Sequence, residues 1–457
     1  MVKSSRRKVR RVKKDIMSEV PQEDIISELP QHIRESIVGF LPIRDAVRTS
    51  VLSRKWRHCW TMIPDLIFDD EFVDGVLDKL RQCDDPEVKS YKLVSVINRV
   101  LLLHNGPILK FFFYSCDNEC NFQIIHDYID QWIPLLARNG TKQLVLEDLE
   151  IGEFSAHHFS SIDLTHLKLT NFWFPYAPTF GTFPYLTNLE LVQVELIDLA
   201  DSKQKIFNCP VLEKLKLILC NGIFPTNFCA PKLKCLHQLC NEITSEFSLA
   251  GLENLSEYSF GLLEKSRTLA KKFNVDKILG SLPKIEKFCI AMEFMQYLAA
   301  GRSPKTLSKS LPYLKILNIS DILFNKSSEV SCLLCLIRSA PNLCNLNISA
   351  EYFVEGDLKK YRIIDSKDCT MDHLEIVTFR NFKGLRAELE LVKFLLARSP
   401  LLKTMFINYS GTLEKDAALM MFKEMLKYSK ASSTAQIRRL KYPFEMDDFG
   451  AYYLQYC

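Results

Sequence analysis

Apolar positions along this chain change period several times, and each change predicts an element. Residues 24–68 are short, densely apolar and written as three helices in quick succession. Pro30 follows Leu29 and Pro42 follows Leu41; proline suits a first helical position, where its missing N–H would have no partner anyway. From Pro30, Ile33, Ile37, Phe40 and Leu41 recur at helical spacing, and from Pro42 so do Ile43, Ala46 and Val47. Ser53 is placed to cap a third helix carrying Trp56 and Trp60, four apart, on one face. A module of about 45 residues cannot bury this much apolar surface in its own core. A partner is therefore expected to cover one side; the alternative is a helical subdomain packed on its own chain. Ile67 to Asp70 closes the stretch.

Residues 71–90 are charged and mixed, and then Leu93, Val96, Ile97, Val100 and Leu101 form a helical face ended by Gly106-Pro107. Ile108 to Phe113 is dense enough for a buried strand. Phe122 to Arg138 predicts an amphipathic helix through Ile125, Ile129, Trp132, Ile133 and Leu136, with Gly140 in the stop position.

From there one pattern recurs, apolar-x-x-apolar-x-apolar. Its first positions are 164, 186, 212, 233, 255, 285, 314, 343, 374 and 402, with successive intervals of 22, 26, 21, 22, 30, 29, 29, 31 and 28. The copy at Leu233 and Leu236 is broken by Gln238, and an incomplete copy, Leu144-Leu146, precedes the rest. Periods of roughly 20–29 residues with this apolar spacing mark leucine-rich repeats. One strand and one crossover cannot bury their own apolar face, so each repeat must stack on the next. The fold class expected is α/β: a leucine-rich-repeat solenoid, a curved parallel sheet with outer helices, preceded by the small three-helix module. The longer late spacings leave room for full helices, legible at Val330–Arg338 and Leu389–Ala397. Glycine is sparse and the usual asparagine after the strand is mostly absent, which predicts an irregular open array.

Two stretches carry a family resemblance. Leu29-Pro30, Leu41-Pro42, Thr49 to Ser53 and Trp56-Arg57 with Trp60 resemble an F-box. The resemblance implies docking on a Skp-type adaptor, which joins the module to a cullin. It carries over Leu29, Pro30, Ile33, Ile37, Leu41, Pro42, Ile43, Val47, Leu52 and Trp56 as adaptor contacts or their immediate support. His373 to Val377, Asn381 to Gly384, Glu388 to Leu396 and Ser399 to Met405 are similar to the FBD domain, which closes many plant F-box proteins with leucine-rich repeats. Physically it is a pair of strand–helix units that would cap the last apolar face of the stack. The expected organisation is a basic tail over 1–23, F-box over 24–68, helical linker over 69–105, repeats over 106–371, FBD over 372–440 and a tail over 441–457.

Composition changes this picture little. In 457 residues, 47% hydrophobic and 25% charged, no apolar run approaches the roughly 18 residues of a membrane span. No apolar signal core opens the chain, so secretion is not expected. Fifteen cysteines lack a repeating framework, and Cys220, Cys289, Cys332 and Cys344 sit in apolar runs; they read as small buried hydrophobes in a reducing compartment. The net charge of +4 conceals an asymmetry. Lys3, Arg6, Arg7, Lys8, Arg10, Arg11, Lys13 and Lys14 contribute eight positive charges with no acid among them, leaving the rest at −4. Such a tail reads as a nuclear-import signal, with a solvated leader as the alternative. Without a basic stripe interleaved with aromatics elsewhere, nucleic acid is not expected as a partner.

No catalytic constellation stands out. The phosphate-loop, dinucleotide, GxSxG and HExxH patterns are absent. Cys332-x-x-Cys335 lies in a helical apolar run and reads as core; Cys116-x3-Cys120 reads as a loop; His157-His158 reads as solvated. No enzyme activity, cofactor or metal is expected. The repeats offer a surface instead. Between the apolar positions, Lys168, Glu190, Lys216, Ser259, Cys289, Asn318, Asn347, Thr378 and Phe406 should point outward from the sheet. This mixed, mostly polar row suits a client protein better than a deep small-molecule pocket. The reading is the substrate-recognition subunit of an SCF-type (Skp–cullin–F-box) ubiquitin ligase in a plant nucleus, with the cytoplasm as a second place of residence left open. Its rivals are a nuclear scaffold without ubiquitin transfer and a small-ligand receptor of the same architecture.

Overall fold

Each apolar-x-x-apolar-x-apolar stretch becomes a strand laid parallel to the one before. The computed structural model describes residues 25–439 apart from 81, 115–119, 148–158, 160, 175–181, 197–205, 242–248, 250, 264–277, 293, 301–305, 352–369 and 412. The basic tail, positions 440–457, His157-His158 and Cys116 lie outside the described residues. The main sheet has 14 strands in chain order, all pairs parallel. They are β1 (Asp65–Phe68), β2 (Lys110–Tyr114), β3 (Gln143–Glu147), β4 (His166–Thr170), β5 (Asn188–Val192), β6 (Lys214–Ile218) and β7 (Cys235–Cys240). Then come β8 (Glu257–Leu262), β9 (Lys287–Met292), β10 (Ile316–Ile322), β11 (Asn345–Ala350), β12 (Ile376–Phe382), β13 (Thr404–Tyr409) and β14 (Gln436–Arg439). Among the described residues the order is linear, with β1 and β14 at its two ends, as an open solenoid requires.

Register is enforced at strand entries by a recurring device. One carbonyl just before a strand accepts the two amides that open the next strand. Lys142 O takes Thr165 N at 2.8 Å and His166 N at 3.1 Å; Cys344 O takes Glu375 N at 2.8 Å and Ile376 N at 3.1 Å. The apolar positions therefore stack in columns. Leu167, Leu189, Leu215, Leu236, Tyr258, Phe288, Leu317, Leu346 and Val377 are mutual neighbours in register, and all are buried. Each such side chain contributes about 1.5–3 kcal/mol by leaving water. Exposed ion pairs such as Lys315–Glu286 at 2.8 Å are worth about 0–1 kcal/mol each, so the columns hold the stack together.

Spacing decides what returns the chain. The longer, later repeats carry helices: α6 (Phe294–Ala300), α7 (Ser327–Ser339) and α8 (Arg386–Arg398), preceding a last one, α9 (Lys415–Met425). In the shorter repeats the described return segments include two-residue strands, Trp173–Phe174 beside Glu195–Leu196 and Phe207–Asn208 beside Phe228–Cys229, and a 3-10 turn over Pro225–Asn227. Asn171, Gln193 and Leu219 leave their strands with positive φ, from 52° to 60°, so two of these three bends are made without asparagine.

The N-terminal module departs from expectation in two ways. Helices α1 (Gln31–Val38) and α2 (Ile43–Arg48) form as expected, with Pro30 and Pro42 one position earlier, as N-caps. The expected third helix is absent: residues 53–62 are turns and a short 3-10 segment over Cys59–Met62. Side chains have taken the carbonyls a helix would use. Arg34 Nη1 donates to Lys55 O at 2.6 Å and Ser50 Oγ to Arg57 O at 3.1 Å. Second, Asp65–Phe68, at the end of the module, also opens the main sheet as β1, in register with β2. The intervening helices are α3 (Asp70–Leu77), α4 (Pro86–Leu103) and α5 (Phe122–Arg138). Gly106 lies against the module's backbone, where an added Cβ would sit 3.0 Å from Met62 Cα, and its N–H bonds to Thr61 O at 3.0 Å.

Gln238, which breaks the repeat pattern, sits in the core, and Tyr258 of the next strand donates its hydroxyl to Gln238 Oε1 at 3.2 Å. The two polar groups satisfy one another. Tyr258→Phe should lower stability by about 1–3 kcal/mol by leaving the buried amide oxygen without its donor. Adding Gln238→Leu should recover most of that loss. Denaturant unfolding of both variants checks this, and equal loss in the single and double variants would contradict the pairing.

Candidate functional site

Two faces of the chain are candidates, one on the N-terminal helices and one on the sheet. On α1, Arg34 and Val38 turn inward. Ile33, Ile37 and Leu41, at helical spacing, turn outward together with Phe40, which is 89% exposed. After α2, Val51 and Leu52 are 87% and 66% exposed, and Ile25 and Ile26 ahead of α1 are also uncovered. Eight large apolar side chains thus face solvent between Ile25 and Leu52. Monomeric proteins rarely leave so many together unless another surface covers them.

The ten residues carried over from the resemblance divide into two layers. Ile33, Ile37, Leu41 and Leu52 are exposed, as are Pro30 and Pro42, while Leu29 and Val47 are half-buried. Ile43 and Trp56 are buried, so they support the face rather than form it. Trp56 Nε1 donates to Ser27 Oγ at 2.9 Å, and Ser27 Oγ lies 3.2 Å from Ser53 Oγ. This chain of contacts pins the approach to α1 onto the turn region below it. Sequence reasoning omitted Phe40 and Val51 from the candidate contacts; their signal was an apolar residue directly beside Leu41 and Leu52.

The second face is the outward row of the sheet. Register brings Lys168, Glu190, Lys216, His237, Ser259, Cys289, Asn318, Asn347, Thr378 and Phe406 into one column across ten strands. Its charges face each other across repeats. Lys168 pairs with Glu147, Lys216 Nζ lies 3.5 Å from Glu190 Oε2, and Lys287 Nζ lies 2.9 Å from Glu257 Oε1. Farther along, Asn347 Nδ2 donates to Asn318 Oδ1 at 2.8 Å, and Asn318 Nδ2 donates to Cys289 Sγ at 3.3 Å. Lys168, Glu190, Lys216, Asn318, Asn347 and Phe406 are half-buried and reachable. Ser259 is not: it is completely buried between its register neighbours His237 and Cys289, which corrects its place among the contact candidates. Thr378 is nearly so.

The cysteines behave as a reduced, mostly interior set. All the described ones are free thiols; Cys289, Cys332 and Cys335 are buried. Cys220 and Cys344 keep part of their surface exposed, against expectation, although the Cys220 sulfur itself lies against Leu191 O at 3.3 Å. Burial pushes the thiols of Cys209, Cys220, Cys235 and Cys240 up to about 12, so each is protonated near neutrality. Burial also lowers His237. One cluster escaped the sequence reading: Cys235 and His237 on β7 and Glu257 on β8 bring their ligand atoms within 4.8 Å of one another. A Cys-x-His on one strand with an acid one repeat later was the available signal. No described helix is long and apolar enough to cross a membrane.

Comparison with known proteins covers nearly the whole chain. Residues 26–68 match the family model of the F-box domain. Residues 129–348 match that of the "FBD-associated F-box protein At5g56370, LRR repeats", and residues 368–407 match FBD. The F-box/FBD/LRR-repeat protein At1g13570 of Arabidopsis thaliana is 35% identical over 434 residues, covering 92% of this chain and 99% of that one. The F-box/FBD/LRR-repeat protein At3g14710 is 25% identical, over 91% and 94% of the two chains, and F-box/LRR-repeat protein 13 is 24% identical, over 91% and 96%, both from the same plant.

The two layers of the N-terminal face should separate in stability measurements. Phe40→Ala and Val51→Ala should leave thermal unfolding within about 0.5 kcal/mol of the parent. Trp56→Ala should destabilise the module by about 3–5 kcal/mol. Limited proteolysis of residues 25–64 reads both; equal sensitivity of all three variants would contradict this division.

Proposed function

This chain belongs to the F-box/FBD/LRR-repeat family, and from that premise we propose that it is the client-recognition subunit of an SCF-type ubiquitin ligase. An F-box implies binding to a Skp-type adaptor in general. The observation that carries the reading here is the uncovered apolar face of Ile33, Ile37, Phe40, Leu41, Val51 and Leu52. In this proposal the adaptor covers that face and links the chain to a cullin, and the outward row of the sheet holds a client protein. Lys168, Glu190, Lys216, Asn318, Asn347 and Phe406 are its reachable members.

In this role the chain performs no covalent chemistry. F-box repeat proteins act typically as adaptors, and the same role is proposed here. The contribution is effective concentration: a client held on the sheet meets a charged conjugating enzyme repeatedly instead of by diffusion. The geometry favours this because the F-box residues Trp56, Trp60 and Leu66 share one continuous core with the repeats as far as Ile437. The outward row and the docking face therefore keep a fixed relation.

Phe40→Asp combined with Leu52→Asp should abolish capture of a Skp-type adaptor while the repeats stay folded. Each substitution at a central contact should cost about 2 kcal/mol or more, roughly thirtyfold in affinity. Titration calorimetry with purified adaptor checks it; undiminished binding by the double variant would refute the docking face. Reconstituted ubiquitin-chain formation on clients recovered with the proteasome blocked separates a ligase from a scaffold.

We also propose the nucleus as the site of action, on the eight basic residues among the first 14. Replacing all eight by glutamine in a fluorescently tagged full chain should shift signal to the cytoplasm. An unaltered distribution would dismiss the import role.

A further inference from the structure

We propose that Cys235, His237 and Glu257 form a three-ligand site for a transition metal of the zinc class on the outward face of the sheet. This inference does not rest on the ligase reading. Strand alternation puts Cys235 and His237 on one face of β7, two residues apart. The parallel register sets Glu257 of β8 directly beside Cys235. Cys235 Sγ lies 2.8 Å from His237 Nε2, and His237 Nε2 lies 3.8 Å from Glu257 Oε1. All three donors fall within 4.8 Å of one another. A tetrahedral zinc ion with bonds of about 2.0–2.3 Å places its ligand atoms about 3.3–3.6 Å apart. The two separations observed, 2.8 and 3.8 Å, bracket that spacing.

The donor set selects the class of metal. A thiolate and an imidazole favour zinc, cobalt and copper, whereas magnesium and calcium require oxygen ligands. Thiolate and carboxylate together neutralise a divalent ion. On binding, the S–H bond breaks, its proton passes to water, and the sulfur–metal bond forms. Three protein ligands leave a fourth position, and the half-buried His237 and Glu257 let water or a partner's donor reach it from the outward face. Among the described residues no other group of histidines, cysteines and acids converges so closely.

The surroundings set a limit on affinity. Lys287 Nζ stands 2.9 Å from Glu257 Oε1, and Lys214 and Lys216 are the register neighbours of Cys235 and His237. These cations compete with a metal for the carboxylate and weaken the site.

Cobalt(II) titration of the purified, reduced full chain tests the proposal. The expected result is one equivalent bound, with a near-ultraviolet thiolate-to-cobalt band that zinc displaces. Cys235→Ser should remove the band, and Cys229→Ser, at an exposed thiol, should leave it. Glu257→Gln, which preserves shape, should weaken binding about tenfold or more and decides the matter should Cys235→Ser fail to fold. A parent chain with no thiolate band, a band surviving Cys235→Ser, or unchanged affinity in Glu257→Gln would overturn the assignment.

Discussion

Two amides on one carbonyl, repeated at strand after strand, fix everything that follows in this molecule. That contact lets β4 start only opposite Lys142, and β12 only opposite Cys344. With the entries fixed, strands about 4.8 Å apart carry equivalent side chains in straight columns. A one-residue slip would turn the buried Leu167, Leu189 and Leu215 outward and Lys168, Glu190 and Lys216 into the core. The cost of that slip, several buried leucines and as many unpaired charges, holds the register, with no disulfide among the described residues and no long strand there.

The same constraint reaches the N-terminal helices. Because Asp65–Phe68 is the first strand of the sheet, the module ahead of it is not hung on a flexible linker. Phe68 packs at 5.6 Å on Phe111, and Phe111 at 5.9 Å on Trp132, carrying the core from the helical module into the repeats. Gly106 permits the close backbone approach at Met62 that completes the junction. A client held on the sheet would thus be presented at a defined distance from whatever covers Phe40 and Leu52, which is the requirement of the proposed role.

Most of the fold was legible because one signal was written ten times. The repeat spacing located ten of the strands, and its lengthening after Leu255 foretold where helices replace extended returns. Phe122–Arg138 is the span read from its apolar face. What failed were features decided by single long-range contacts. A third helix was expected from Trp56 and Trp60 at four-residue spacing. That spacing does not reveal that Arg34, far back on α1, takes Lys55 O. Ser259 looked like any other outward residue, because sequence gives the face but not the height of the neighbours that bury it. The exposed apolar face was legible as a surplus of apolar residues, but its division into an exposed layer and a supporting Ile43 and Trp56 required the packing.

The two candidate faces also differ in the physics by which they could bind. The helical face is apolar and unpaired, so covering it releases water over a broad area and tolerates small errors of fit. Much of the sheet face is already internally paired: Lys168 with Glu147, Lys216 with Glu190, Lys287 with Glu257, Asn347 with Asn318. A partner there gains little unless it offers equivalent groups as it desolvates those pairs, because a half-buried charge left unmatched costs more than a neutral contact returns. Such a face discriminates more strongly than it attracts. Under the proposed function, an apolar contact at one end would keep the chain with its assembly, and an exacting polar one at the other would let it exchange what it carries.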